Sequence, residues 1–278
     1  MASTPSFSTP PPKTQYCILS FPAPYVLLVT LNRPKELNCI NTAGHAELDE
    51  VWTWLDREPA LRVGIITGAG RAFCAGADLK EWNQSNSSNT PRQQPSASGF
   101  GALSRRSGLK PVIAALNGLA YGGGCEMVIN ADIVVAAPSA TLALPEVKRG
   151  VVALAGALPR LVRTVGKQRA MEMSLTGRTV SAQEAREWGL VNNVVGEGEG
   201  EVVKEAVRLA EMIVGNSPDA VIVTREGVKI GWDGLGAEDA TRIWGESWYP
   251  RLLGGENMKE GVRAFVEKRK PEWKAPKL

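Results

Sequence analysis

Histidine is almost missing from this sequence: His45 is the one copy in 278 residues. A serine–histidine–aspartate triad or a multi-histidine metal site would have to be built around it alone, and its place in a helical stretch favours a structural role. Cysteine is scarce as well. Cys17, Cys39, Cys74 and Cys125 stand far apart with no C-x-x-C pair, and the N-terminus carries no secretory pattern. They read as free thiols in a reducing compartment. No apolar run approaches the roughly 18 to 20 residues that would span a bilayer, so no membrane is expected. An excess of one charge is lacking too. The 32 basic and 29 acidic residues leave +3 spread along the chain, which argues against nucleic acid or an anionic surface as partner.

What is present is an ordinary globular mixture, 44% apolar and 22% charged, enough for a sizeable core. Residues 1–13, rich in Ser, Thr and Pro, predict a disordered leader. Tyr16–Ser20 and Tyr25–Leu31 predict two strands joined by a turn, and Leu48, Val51, Trp52 and Leu55 predict a helix over Thr42–Leu55. Val63–Thr67 and Val112–Leu116 are short, continuous apolar runs, each followed by a glycine turn and a helix-compatible stretch. That is the rhythm of buried strands in an α/β fold. Further strands are expected at Ile133–Ala137 and Thr141–Leu144. Helices are expected at Gly166–Leu175 and at Ser181–Trp188, the second opened by a Ser181-x-x-Glu184 capping box. The polar stretch Asn83–Gly101 reads as a mobile loop. From about Glu201 strand signals vanish and amphipathic helices take over, which divides the chain into a leader (1–13), a core (14–200) and a helical region (201–278).

Two glycine turns carry the chemistry. Gly68-Ala69-Gly70 leads into Ala75-Gly76-Ala77-Asp78, and Asn117-Gly118 leads into Gly122-Gly123-Gly124-Cys125-Glu126. A dinucleotide fingerprint is excluded, because Phe73 stands where its third glycine belongs, and neither turn is followed by the lysine of a phosphate-binding loop. Free N–H groups at a helix start favour negative charge. Two such turns on neighbouring strands would pinch one oxygen from two sides, as an oxyanion hole does.

At these residues the sequence resembles the enoyl-CoA hydratase/isomerase (crotonase) family. Leu31-Asn32-Arg33-Pro34, the Ala-Gly-Ala-Asp-Leu-Lys segment, Asn117 through Glu126, Leu144-Pro145-Glu146 and Ala264 through Arg269 match its pattern in order and spacing, over roughly residues 16–270. The resemblance implies an α/β, crotonase-like spiral of ββα units with a C-terminal helical oligomerisation region, assembled as a trimer or a dimer of trimers. It implies oxyanion donors at the backbone N–H of Ala77 and Gly123 and catalytic carboxylates at Glu126 and Glu146. It implies CoA contacts at Ala77, Asp78, Leu79 and Lys80, with Phe265 and Lys268 at the nucleotide end. No metal and no cofactor are implied, coenzyme A being part of the substrate. The chain departs from the hydratase pattern at Leu154, where a glycine is common, and this residue is expected to narrow or reshape the pocket.

Two glutamates suit hydration of a 2-enoyl thioester, which needs a base near the water, an acid near C2 and a holder for charge on the thioester oxygen. A 3-enoyl to 2-enoyl isomerase, a dehydratase acting on an unusual acyl group, and a non-catalytic crotonase-fold protein that binds RNA or protein stand as alternatives. The end, Pro276-Lys277-Leu278, resembles the small-basic-leucine peroxisomal address; without it a cytoplasmic location is expected.

Overall fold

A computed structural model describes residues 6–87 and 96–278. Its framework is a six-stranded sheet formed by β1 (Cys17–Ser20), β2 (Val26–Leu31), β3 (Val63–Gly68), β5 (Val112–Leu116), β7 (Ile133–Ala136) and β10 (Asn193–Val194), in that spatial order. β1 runs antiparallel to β2; every other neighbour is parallel, with Val26 opposite Val63, Gly64 opposite Val112 and Ile113 opposite Ile133. A second sheet is built from very short strands: β4 (Ala72–Cys74), β6 (Leu119–Tyr121), β8 (Thr141–Ala143) and β9 (Val180–Ser181).

The chain climbs by repetition. Each unit places one strand in the large sheet and the next in the small one. A helix follows in the first two units: β3, β4 and α2 (Leu79–Ser87), then β5, β6 and α3 (Gly123–Ile129). In the third unit β7 and β8 lead through a 3-10 turn at Pro145–Arg149 to α4 (Ala157–Val165) and α5 (Lys167–Thr176), before β9 and α6 (Ala182–Glu187). This is the expected spiral of ββα units.

Both faces of the large sheet are covered, which is why β3 and β5 read as continuous apolar runs. Their side chains alternate between two clusters. Ile66, Val112, Ala114 and Leu116 join the main core with α1 (Thr42–Arg57), whose Leu48, Val51, Trp52 and Leu55 fall on one face at helical spacing. Asn41 caps that helix, its side-chain oxygen accepting from the Gly44 N–H at 2.8 Å. Val63, Ile65, Ile113 and Ala115 face the other way, onto Val202, Ala206 and Ala210 of α7 (Glu201–Val214).

That placement corrects the division expected at residue 201, because α7 is a covering layer of the core sheet and not part of an appendage. Only α8 (Pro218–Trp232), α9 (Ala237–Ser247), α10 (Tyr249–Leu252) and α11 (Glu256–Val266) lie beyond it. Arg225 fastens α8 to the core, bonding Asp132 at 2.7 Å and the Gly108 carbonyl.

Two expectations of disorder are also corrected. Phe7 packs with Phe21 and Trp54, ring centroids 4.8 and 5.2 Å away, and the Ser8 and Thr9 N–H groups donate to Glu58. The leader is therefore anchored from Phe7 onward, while residues 1–5 lie outside the described residues. In the stretch read as a mobile loop, α2 runs on to Ser87 and the end is pinned by buried Phe100; residues 88–95 lie outside the described residues.

Candidate active site

The site grows from the two crossings between the sheets. After β3 and after β5 the chain turns sharply, and Asn117 ties the turns together. Its side-chain oxygen accepts from Gly68 N–H at 3.0 Å, and its amide donates to the carbonyls of Gly70 and Ala72 at 2.8 and 3.1 Å. Asn38 braces the same turn, donating to Ala69 and Ala72 at 3.0 and 2.7 Å. The two strand ends are thereby held in register, and so are the segments they feed.

Those segments present two backbone N–H groups. Ala77 forms an isolated parallel bridge with Ile40, in which Ile40 N–H donates to Gly76 and Asp78 N–H donates to Ile40. A parallel bridge of this kind uses the flanking residues, so the N–H of Ala77 itself points to the opposite side. Gly123 is the first residue of α3 and has no acceptor within the helix. The two segments approach closely at Gly76, at φ +97°: a Cβ placed there would lie 3.0 Å from the Tyr121 carbonyl and 3.3 Å from the Gly123 nitrogen. Close approach explains the glycine run as well. A Cβ on Gly124 would lie 2.2 Å from the Cys74 carbonyl, so any side chain would push α3 off β4.

Glu126 stands in the first turn of α3 and is only 4% exposed. Its Oε2 accepts from the Ala157 N–H at 3.1 Å. Burial pushes its carboxyl up to about 7, with the Ala157 N–H opposing that rise and nearby Glu146 adding to it. Glu146, in the 3-10 turn after β8, brings its Oε1 to 3.2 Å from where a Cβ on Gly122 would stand. Burial raises its carboxyl too, and its buried Oε2 has no hydrogen-bond partner among the described residues. Glu126 and Glu146, both raised by burial, are thus brought to the turn at Gly122–Gly123, beside the segment that carries Ala77. Such a set can take and give protons beside a carbonyl oxygen on which charge develops.

The remaining residues named from the sequence fall into two groups. Asp78 pairs with Arg33 at 2.9 Å and accepts from the Lys80 N–H at 3.1 Å, so its carboxylate caps α2. Leu79 and Lys80 are exposed at the start of that helix, next to Ala77. Phe265 and Lys268 sit at the far end of α11; Phe265 is 85% exposed and neither is brought to the glutamates within this chain. Leu154 is 82% exposed, so the expectation that it narrows the pocket is corrected. Its side chain faces outward.

Phe100 and Ser104 are the residues the sequence reading missed here, whereas His45 was expected to be structural. The Phe100 ring lies 2.4 Å from where a Gly123 Cβ would be, covering the Gly122–Gly124 turn. His45 meets that ring edge-on at 4.6 Å, and its Nδ1 accepts from Gly101 N–H at 3.0 Å. Burial lowers its pKa, so the imidazole is neutral and structural. The available signal was a lone aromatic, Phe100, ending a polar stretch.

The model of the enoyl-CoA hydratase/isomerase family matches residues 24–276. A mevalonyl-coenzyme A hydratase of Aspergillus fumigatus is 53% identical over 96% of this chain and 98% of its own. One of Beauveria bassiana is 55% identical over 98% of this chain and 100% of its own. Among solved structures, an enoyl-CoA hydratase from Mycobacterium marinum superposes with a TM-score of 0.84 at 36% identity, over 93% of this chain and 98% of that one. With the doubly crossed sheets, the paired turns and matches of this length, the chain belongs to the enoyl-CoA hydratase/isomerase family, as an acyl-CoA hydratase.

Proposed function

We propose that this enzyme interconverts mevalonyl-CoA and the corresponding 2-enoyl thioester, the CoA ester of 5-hydroxy-3-methylpent-2-enoate. The observation that carries the reaction is the pair of carboxyls at one glycine turn, Glu126 buried and Glu146 half-buried with its Oε2 unpartnered among the described residues. The acyl group is proposed from the mevalonyl-coenzyme A hydratases that match nearly the whole chain at more than half identity.

In the hydration direction the thioester oxygen lies between the N–H groups of Ala77 and Gly123. One carboxylate of the Glu126–Glu146 pair takes a proton from water as its oxygen bonds to C3. The C2–C3 π pair moves onto C2 and the thioester oxygen, where the two N–H groups hold the charge. The other carboxyl, kept protonated by burial, gives its proton to C2. One proton enters and one leaves the glutamate pair, and exchange between them resets the site. No electron is gained or lost, so coenzyme A within the substrate is the one large group the step requires. Dehydration is the same path reversed.

The test is a panel of enoyl-CoA esters, linear and 3-methyl-branched, with product analysis. A 3-hydroxyacyl-CoA product and a preference for the branched 5-hydroxy ester are expected. A shifted double bond would replace this reading with an isomerase. Tight RNA binding at physiological salt with no turnover would replace it with a binding protein.

Assembly and location are part of the same reading. We propose a homotrimer or a dimer of trimers, supported by the exposed Val262, Phe265 and Val266 on α11, with Phe265 and Lys268 serving a neighbour's CoA; light scattering showing a clean monomer would remove it. Peroxisomal routing by Pro276-Lys277-Leu278 is proposed as well. Lys277 is tied down here, its N–H to Asp219 at 3.0 Å and its Nζ to Glu256 at 2.6 Å, so a reading receptor must first detach it. A fluorescent fusion whose peroxisomal signal survives deletion of the tripeptide would count against this routing.

A further inference from the structure

Ser104 is fully buried, 0% exposed, yet no step above uses it. Its hydroxyl is committed on both sides. Oγ accepts from the Phe100 N–H at 2.8 Å and donates to the Ala155 carbonyl at 2.7 Å. It thus joins two segments far apart in sequence: the turn at 99–102, whose Phe100 ring covers Gly123, and the loop at 153–157, whose Ala157 N–H holds Glu126 Oε2 at 3.1 Å. The junction is tight. A Cβ on Gly99 would meet Ser104 Oγ at 2.4 Å and the Ala155 carbonyl at 3.1 Å.

The neighbouring bonds show how much depends on it. On the 99–102 side the turn is also held by His45 to Gly101 N–H at 3.0 Å and by the Trp52 indole to the Gly101 carbonyl at 3.1 Å, both from α1. On the 153–157 side Arg160 reaches the Gly156 carbonyl at 3.0 Å from within α4. The Ser104 hydroxyl is the direct side-chain link from one segment to the other, two residues from the N–H that holds the carboxylate.

We propose that Ser104 is a positioning residue for the Glu126 carboxyl, locking the loop that carries the Ala157 N–H to the turn that carries Phe100, so that the carboxyl and the wall over the Gly122–Gly124 turn stay in one register. It touches neither substrate nor reacting atoms and acts through Ala155 and Ala157. The proposal rests on Glu126 being one of the two proton-transferring carboxyls. Its consequence for protonation has a definite sign. The Ala157 N–H favours the ionised carboxyl, so a slack loop lets the Glu126 pKa climb.

The experiment compares Ser104→Ala, Glu126→Gln and wild type, with the CoA ester of 5-hydroxy-3-methylpent-2-enoate as substrate, measuring kcat and KM across pH 5 to 9. Removing the hydroxyl is expected to lower kcat on the order of tenfold to a hundredfold through misplacement. KM should change by less than about threefold, and the pH limb absent from Glu126→Gln should move upward by at least about half a unit. Trp54→Phe, a change in the aromatic cluster around Phe7, shows what a modest loss of stability does by itself and should leave the limb in place. A limb unmoved in Ser104→Ala, whatever its kcat, overturns the proposal, as does an equal movement in Trp54→Phe. A limb that persists in Glu126→Gln overturns the assignment of Glu126 itself, and the Ser104 proposal falls with it.

Discussion

Two buried polar regions of this molecule are built on opposite plans. At the C-terminal end of α1 every group is answered: Asp56 accepts from Arg106 at 2.6 Å and from the Lys110 N–H at 3.0 Å, Arg106 also donates to the Lys110 carbonyl at 3.0 Å, and the Lys110 ammonium donates to the carbonyls of Leu55 and Glu58 at 2.8 and 2.6 Å. At the glycine turn Glu126 accepts from backbone N–H groups of the 153–157 loop, Ala157's at 3.1 Å, and the buried Glu146 Oε2 has no partner among the described residues. The first arrangement offsets part of the cost of burying charge; the second leaves more of it standing. A satisfied cluster holds the fold, whereas an unsatisfied one keeps groups ready for a partner that the fold does not supply.

The comparison predicts opposite responses to mutation. Glu126→Gln and Glu146→Gln keep shape and delete proton transfer, so each is expected to lose about 10² to 10⁴ in kcat while denaturant midpoints at pH 8 stay level or rise. If both variants keep wild-type turnover on every ester of the panel, the site does not work through these carboxyls. Asp56→Ala is the reverse case. It leaves the Arg106 guanidinium buried without its partner, a change costing about 3 kcal/mol, the low end of the range for a broken buried pair because the Asp56 side chain is 21% exposed. Its kcat, per folded molecule, should stay within about threefold.

The pH dependence of stability sharpens the same contrast, since the two regions act with opposite slopes. Burial holds the Glu126 pKa in the folded chain at about 7, above its unfolded value. The folded state therefore holds that proton more tightly below neutrality, and its contribution, full below about pH 4.5, is lost as pH rises to 7. Burial lowers the Lys110 pKa to about 8 despite Asp56 and Glu58, below its unfolded value. The unfolded chain binds that proton more tightly, so stability is regained as pH rises from 8 toward about 10.5. Urea midpoints in wild type, Glu126→Gln and Lys110→Met across pH 5 to 10 check both. Glu126→Gln should flatten the first slope and leave the second; Lys110→Met should do the converse.

How far the fold was legible follows from the same physics. β3 and β5 were readable because double-sided burial writes an unbroken apolar run. Of the small sheet only β8 was read, at Thr141–Leu144; β4, β6 and β9 span two or three residues and leave no period to detect. α7 was read correctly as an amphipathic helix and assigned to the wrong layer, because amphipathicity reveals that a helix has a buried face without naming the surface that receives it. Phe7 was lost in a Ser/Thr/Pro-rich stretch in the same way. In the site, Ala77, Gly123, Glu126 and Glu146 entered through the family resemblance. Their convergence depends on Asn117 and Asn38 holding two turns together, which spacing alone does not disclose. Ser104 gave no signal at all, as serine is ordinarily a surface or capping residue.

Leu154 offers the smallest effect and the cleanest boundary between the two kinds of region. By sequence it belongs to the site, eight residues past Glu146 and three before Ala157, in the position where relatives' resemblance suggested a narrower pocket. By structure its side chain is 82% exposed, whereas Ala153 beside it is 8% exposed and Ala157 is fully buried. The loop therefore meets the site through its backbone, the Ala155 carbonyl toward Ser104 and the Ala157 N–H toward Glu126, and turns Leu154 to the outside. Shortening an exposed side chain in such a place changes stability by no more than about 0.5 kcal/mol. Leu154→Ala should accordingly leave kcat and KM for the branched ester within about twofold, with no movement of the pH limb. A large rise in KM confined to the branched esters would show that the side chain swings inward over bound substrate and belongs to the acyl pocket.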